Sequence, residues 1–336
     1  MTEPLNEHAI LGAKEPWLPD VATVTAPSWL KGATFVNAIT EGVSAEYWLR
    51  SHQIWLENVL SASGAVLMRG FAPISVEEFE RVAKIAGGQP PQAYENRSTP
   101  RKRVKGNIYT STEYPPSETI PLHNENSYSS VWPGRILFLS CECASDGGET
   151  PIADSRLVYH SIPSATRALF ESKAVTYIRN YGPFGLSWQE TFQTNVRHDV
   201  QSYCDEHGIL WHWSDDGQLQ TKQTLPAVRL HPETREPIWF NQAHLFHVSN
   251  LGKVADHLVS LFGPDHLPRN ATFGDGSEIS RGTLREIREA YDSNAATFRW
   301  QANDLMILDN MLWAHGRRPF EGNRRVLVAM TNLARS

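Results

Sequence analysis

Two stretches far apart in the chain each carry metal-ligating side chains beside apolar, strand-forming runs, and any fold must accommodate both. The first, Pro121-Leu122-His123-Asn124-Glu125-Asn126-Ser127-Tyr128, precedes a strongly apolar run from Arg135 to Cys143. The second, Asp309-Asn310-Met311-Leu312-Trp313-Ala314-His315-Gly316-Arg317, lies between the short apolar run Leu305-Met306-Ile307-Leu308 and the β-rich run Arg325-Val326-Leu327-Val328-Ala329-Met330. Residues two apart on an extended segment point to the same side, so His123 and Glu125 can reach one ion. With His315 they make two imidazoles and one carboxylate, a donor set that leaves one face of an iron ion open.

A His-x-acid triplet alone is weak evidence. With 13 His and 37 acidic residues among 336, chance supplies roughly one such triplet. A second one, His231-Pro232-Glu233, sits in a polar, proline-bearing stretch between Val228-Arg229-Leu230 and Ile238-Trp239-Phe240. That pattern predicts a solvated hairpin loop, which is poor scaffolding for a metal. At the other end, an arginine opening a buried strand requires a carboxylate for its planar fork. Either an internal Asp or Glu or the carboxylate of a ligand meets that need.

Taken together, these motifs resemble the iron(II)/2-oxoglutarate oxygenases of the taurine dioxygenase (TauD/TfdA) superfamily. The resemblance runs from about Gly64 to Leu333. It includes Gly64-Ala65-Val66-Leu67-Met68-Arg69-Gly70-Phe71, the His123/Glu125 pair, Gly147-Gly148-Glu149-Thr150-Pro151 and the segment from His315 to Arg325. The His-x-Glu form is similar to the clavaminate synthase-like branch. Tyr109-Thr110-Ser111-Thr112-Glu113-Tyr114-Pro115 and Trp239-Phe240-Asn241-Gln242 look like the syringomycin-type aspartyl hydroxylases of nonribosomal peptide pathways. The resemblance implies that His123, Glu125 and His315 hold Fe(II), and that Thr150 and Arg325 hold the distal carboxylate of 2-oxoglutarate. Arg325 is preferred over Arg324 because the family's arginine directly precedes an apolar pair, here Val326-Leu327. Asn126 and Asn241 are the expected substrate contacts.

The resemblance further implies a mainly β fold with flanking helices, built on a double-stranded β-helix (jelly-roll, cupin-like) core. The implied activity is hydroxylation of an unactivated C–H bond with molecular oxygen, releasing succinate and carbon dioxide. The implied substrate is an amino acid or an aminoacyl group on a peptidyl carrier protein, in specialised metabolism such as antibiotic biosynthesis. The alternatives are desaturation or cyclisation at the same site, or a jelly-roll that binds metal without turnover. Two departures narrow this. Ala329 stands where the taurine enzymes carry a sulfonate-binding arginine, which argues against taurine. Glu125 argues against halogenation, because the related halogenases lack that carboxylate.

Composition excludes other classes. A net charge of −6 and a pI near 6.1 argue against general nucleic-acid binding. The one basic cluster, Arg101-Lys102-Arg103 with Lys105, predicts a solvated loop or a surface that meets an acidic carrier. Three cysteines, Cys141, Cys143 and Cys204, form no metal or disulfide framework. No apolar run approaches the ~20 residues a membrane-spanning helix needs. The N-terminal residues lack the basic start and apolar centre of a secretory signal, so a cytoplasmic location is expected.

Along the chain, residues 1–40 read as an N-terminal arm and 41–336 as a single oxygenase domain. Tyr47 to Leu60 has the apolar stripe of one amphipathic helix. Ser75-x-x-Glu78 is a capping box opening a second. Residues from about 177 to 225 form an aromatic-rich insertion, expected either to pack a small core of its own or to wall the pocket as a lid. His244 and His247 are expected to serve packing or hydrogen bonding rather than a metal.

Overall fold

The computed structural model describes residues 21–336, apart from 94, 95, 97, 100, 183 and 184. An eight-stranded sheet dominates it, in the order Ala22–Thr25, Thr34–Ala38, Ala65–Arg69, Leu305–Asp309, Val131–Glu142, Arg325–Arg335, Ile108–Thr110 and Arg103–Lys105. Strict alternation explains why this sheet is buried on both faces. Ile136 and Phe138, with Val326, Val328 and Met330, face one apolar cluster; Leu137 and Leu139, with Leu327 and Ala329, face another. The outer cluster is roofed by helices Ala45–Ser51, Gln53–Ala62 and Val76–Gly87. The inner cluster lies between the large sheet and a three-stranded sheet of Ile120–His123, Trp313–Arg317 and Ile152–Asp154. Each fully buried Leu or Phe in these layers contributes roughly 1.5–3 kcal/mol, more than a typical net hydrogen bond at about 1 kcal/mol. Apolar layering therefore fixes the strands, and the strands present the polar site.

The result is the expected jelly-roll with flanking helices, with two differences from the sequence reading. Residues 1–20 of the expected arm lie outside the described residues. The rest of it joins the sheet: Thr34–Ala38 pairs parallel with Ala65–Arg69, and Ala22–Thr25 adds antiparallel outside it. The single helix expected from Tyr47 to Leu60 is broken at His52, whose ring Nδ1 donates to the Trp48 carbonyl at 2.7 Å. A continuous helix would give that carbonyl the His52 amide, which bonds Leu49 instead. The capping box forms as predicted, Ser75 Oγ accepting from the Glu78 amide and Glu78 Oε2 from the Ser75 amide.

A second, four-stranded sheet has the order Leu210–Trp213, Leu219–Leu225, Val175–Tyr181 and Arg269–Phe273. Here the aromatic insertion builds its own small core: Trp188, Phe192, Tyr203 and Trp213 pack on Tyr181, Val200, Cys204, Ile209 and Leu219. None of the insertion's described aromatics lines the cavities beside the metal-ligand triplet. Cys141, Cys143 and Cys204 are free thiols. Among the described residues no helix is long and apolar enough to cross a membrane.

Candidate metal centre and flanking cavities

His123 and His315 meet because their strands pair antiparallel with these two residues directly opposite. Their ring centroids are 4.7 Å apart. The ladder is irregular between His315 and Arg317, and Gly316 lies in between. A Cβ on Gly316 would sit 2.6 Å from the Ile120 carbonyl oxygen, so only glycine allows this approach. Glu125 follows the end of its strand. A clamp from Asn310 holds it: the Glu125 amide donates to Asn310 Oδ1 at 2.7 Å, and Asn310 Nδ2 donates to the carbonyls of Glu125 (2.9 Å) and Pro133 (2.8 Å). Asn124 completes the lock by donating to the Asn310 carbonyl at 2.7 Å and the Ser155 hydroxyl at 3.0 Å.

Ligand atoms of His123, Glu125 and His315 lie within 4.8 Å of one another. His315 Nε2 is 3.7 Å from Glu125 Oε2. The Pro121 carbonyl can only accept, so His123 Nδ1, 2.8 Å away, carries the proton and Nε2 keeps its lone pair. Burial, with His315 beside it, pulls the His123 pKa down to about 4, so its imidazole is neutral at pH 7. Burial acts to raise the Glu125 pKa, but the Arg101 guanidinium 2.5 Å away and the two histidines outweigh it, holding the carboxyl well below the usual carboxylate range. The neutral His123 imidazole, the His315 ring beside it and an ionised carboxylate fit a ferrous ion with an open face.

Two cavities border the triplet. One is lined by His123, His315, Thr150, Ser111, Phe138 and Arg324, among others. In it Arg324 donates through Nε to the Gly148 carbonyl (2.9 Å) and reaches the hydroxyls of Thr150 and Ser111 at 3.4 Å each. The Trp300 indole also donates to Thr150 Oγ1 at 2.9 Å, fixing that hydroxyl. Burial, with Arg317 nearby, lowers the Arg324 pKa to about 10, which leaves it charged at neutral pH. Among the described residues no carboxylate pairs with Arg324. The second cavity is lined by His123, Glu125, Gln242, Leu245, Glu118 and Arg269, among others. Its rim loop is held by Arg317, which donates to the carbonyls of Tyr114, Pro115 and Glu118 at 2.6–2.9 Å.

Several expectations are corrected here. Arg325 is exposed on the strand edge, and a register shift separates it from Val326. Alternation along the strand puts Arg324, on the same cavity as Val326 and Val328, beside Thr150, and Arg325 on the other face. Asn241 is fully buried with its amide spent on the backbone, donating to Ala227 and accepting from Ala243; its neighbour Gln242 lines the cavity instead. Asn126 sits in a left-handed turn (φ 54°) and accepts from the Tyr128 hydroxyl, away from the cavity lining. Arg101 is no solvated loop residue but the buried partner of Glu125, whereas Lys102 and Lys105 make exposed pairs. His231 does sit at a hairpin, yet it is buried and pairs with Asp309 at 3.2 Å. His244 donates to the Leu122 carbonyl at 2.9 Å, and His247 accepts from the Ser249 amide at 3.0 Å, as packing residues do. Sequence reasoning missed Arg101, Asn310, Gln242 and Arg269. Asn310 and Gln242 lay inside motifs already marked; for Arg269 no local signal exists.

A fold with an open His-Glu-His centre between two cavities defines a class, the ferrous, 2-oxoglutarate-dependent oxygenases. The chain belongs to the taurine catabolism dioxygenase TauD, TfdA family, whose model matches residues 31–331. As a member it is a dioxygenase that uses Fe(II), 2-oxoglutarate and molecular oxygen. The dapdiamide synthesis protein DdaC of Enterobacter agglomerans is 42% identical over 88% of this chain and 90% of its own. A clavaminate synthase-like protein of Arabidopsis thaliana is 30% identical over 84% and 86%. Among solved structures, PvcB of Pseudomonas aeruginosa, an Fe, alpha-ketoglutarate dependent oxygenase from an isonitrile synthetic pathway, shares the fold. Its TM-score is 0.56 at 16% identity, covering 95% of this chain and 94% of PvcB.

Proposed function

We propose that this dioxygenase hydroxylates an unactivated C–H bond of an amino acid or a carrier-tethered aminoacyl group. The balance is one substrate C–H, one 2-oxoglutarate and one oxygen molecule to one C–OH, one succinate and one carbon dioxide. One observation carries the reading: the His123, Glu125 and His315 centre is shared by two cavities, each with a cationic side chain on its wall. When bound, iron and 2-oxoglutarate supply the oxygen activation and the hydrogen-abstracting oxidant.

The chain's residues supply placement. His123, Glu125 and His315 would hold the iron by one hemisphere, with Arg101 orienting the Glu125 carboxylate as an outer partner. Arg324 and Thr150 would bind the distal carboxylate of 2-oxoglutarate, the guanidinium giving charge and the hydroxyl direction. The Gln242 side chain, anchored through Nε2 to the Asn124 carbonyl at 2.7 Å, would present its amide oxygen to substrate. Phe138, packed 4.9 Å from the His315 ring, helps exclude water from the cosubstrate side.

The kinship to a dapdiamide synthesis protein supports a role in antibiotic or other specialised biosynthesis. The test is a screen of free amino acids and their carrier-bound thioesters for succinate release coupled to a product one oxygen atom heavier. A product that has instead lost two hydrogens would replace hydroxylation with desaturation. Absence of succinate release with every candidate would remove the substrate class.

A further inference from the structure

Arg179 and Arg269 are directly opposed on neighbouring antiparallel strands of the second sheet. Like charges in that position destabilise a sheet. Arg179 has local compensation: it donates to Asn96 Oδ1 at 2.6 Å and lies over the Tyr128 and Tyr181 rings. Arg269 differs. It stacks on Phe246, 5.5 Å from the ring centroid, and among the described residues it has neither a hydrogen-bond acceptor nor a carboxylate partner. Burial, with Arg179 adding, holds its pKa below the ordinary arginine value, as expected for a cation short of counter-charge. It lines the same cavity as His123 and Glu125, whereas Arg324 lines the other cavity at His123.

We infer that Arg269 is a substrate-binding residue that takes a free carboxylate of the substrate. A planar guanidinium with no internal acid, in a cavity that opens on the metal centre, matches a carboxylate by two parallel hydrogen bonds. Outside the metal ligands, Glu118 is the other described charged residue lining this cavity. An acid and a base on one wall set suit a molecule carrying both an ammonium and a carboxylate. A thioester or amide at the carboxyl would erase the charge that Arg269 meets. The bound group is therefore a free acid rather than a carrier-tethered carbonyl.

This inference rests on the oxygenase reading above, and the experiment separates the two. Protein loaded anaerobically with Fe(II) and 2-oxoglutarate is titrated with the common α-amino acids and with their α-carboxamides, following the visible charge-transfer absorption. At least one amino acid should perturb the band, its carboxamide binding about tenfold or more weakly. Arg269→Gln should lose a similar factor, and Arg269→Lys should recover part of it. The band given by 2-oxoglutarate alone must persist in both variants, which certifies their fold and their metal site. Equal binding of acid and carboxamide, undiminished binding by Arg269→Gln, or no perturbation by any carboxylate in the panel overturns the inference. A band missing before any amino acid is added condemns the oxygenase reading instead.

Discussion

The two walls of the metal centre are built by different means. On the wall that carries Arg324, every working side chain sits on or beside a jelly-roll strand whose register is fixed by burial on both faces. On the wall that carries Arg269 and Gln242, the residues come from the second sheet and from the residue preceding the short helix Ala243–Phe246. On the function proposed above, the first wall meets an ion and a cosubstrate, whose chemistry dictates residue type. On the same proposal the second meets a substrate, which leaves residue type free to vary on a common frame. Fold therefore reaches as far as the oxidant and stops short of its target.

The largest effects should come from the shared centre. His123→Ala or His315→Ala removes a ligand outright, and each should lower iron-dependent succinate formation more than about 100-fold, beyond what loss of an outer partner costs. Wild-type turnover in both variants would break the comparison at its root. Next comes the choice between adjacent arginines. Arg324→Ala should raise the KM for 2-oxoglutarate about 10–100-fold, while Arg325→Ala, exposed on its strand, should change it less than about twofold. The reverse order in steady-state kinetics would restore the sequence expectation.

Asn310 sharpens the contrast because it joins the two ligand-bearing segments without touching the ion. Asn310→Ala strands the buried Glu125 amide and the carbonyls of Glu125 and Pro133. At about 1–3 kcal/mol per abandoned buried group with partial relaxation, roughly 2–4 kcal/mol of unfolding stability should go in urea denaturation. Iron affinity should fall with it. A change under about 0.5 kcal/mol would mean that the clamp is not structural.

The smallest effect concerns pH. Burial pulls the His244 pKa down to about 3, against an unfolded value near 6.5. The folded pKa is the lower one, so below about 6.5 the unfolded chain binds the extra proton. Stability then falls as pH drops from about 6.5 toward 3. This histidine alone contributes a slope approaching about 1.4 kcal/mol per pH unit. Metal-free His244→Gln should show a shallower acid slope between pH 6.5 and 4.5. An unchanged slope would assign the acid sensitivity elsewhere.

The metal triplet was legible because apolar runs flank both halves and because its two segments fall in order with the family's other motifs. The jelly-roll was legible through those runs and the motif order. Arg324 was passed over because the arginine was chosen by adjacency to Val326-Leu327, whereas alternation along the strand puts Arg324 on the face of Val326 and Val328. Arg101 hid in a basic cluster whose other members are exposed. Strands Ala22–Thr25 and Thr34–Ala38 hid among prolines and short polar stretches, being too short to show a pattern of their own. Arg269 became meaningful only through its register partner and the cavity it lines. No local window of sequence contains either fact.

Anaerobic titration of the purified protein with Fe(II) and then 2-oxoglutarate puts the central claim at greatest risk. One iron per chain should bind, with a weak visible charge-transfer band that saturates at one equivalent of 2-oxoglutarate and is lost in His315→Ala. A wild-type protein that gives no band, or a variant that keeps it at full strength, would contradict a ferrous centre held jointly by His123, Glu125 and His315.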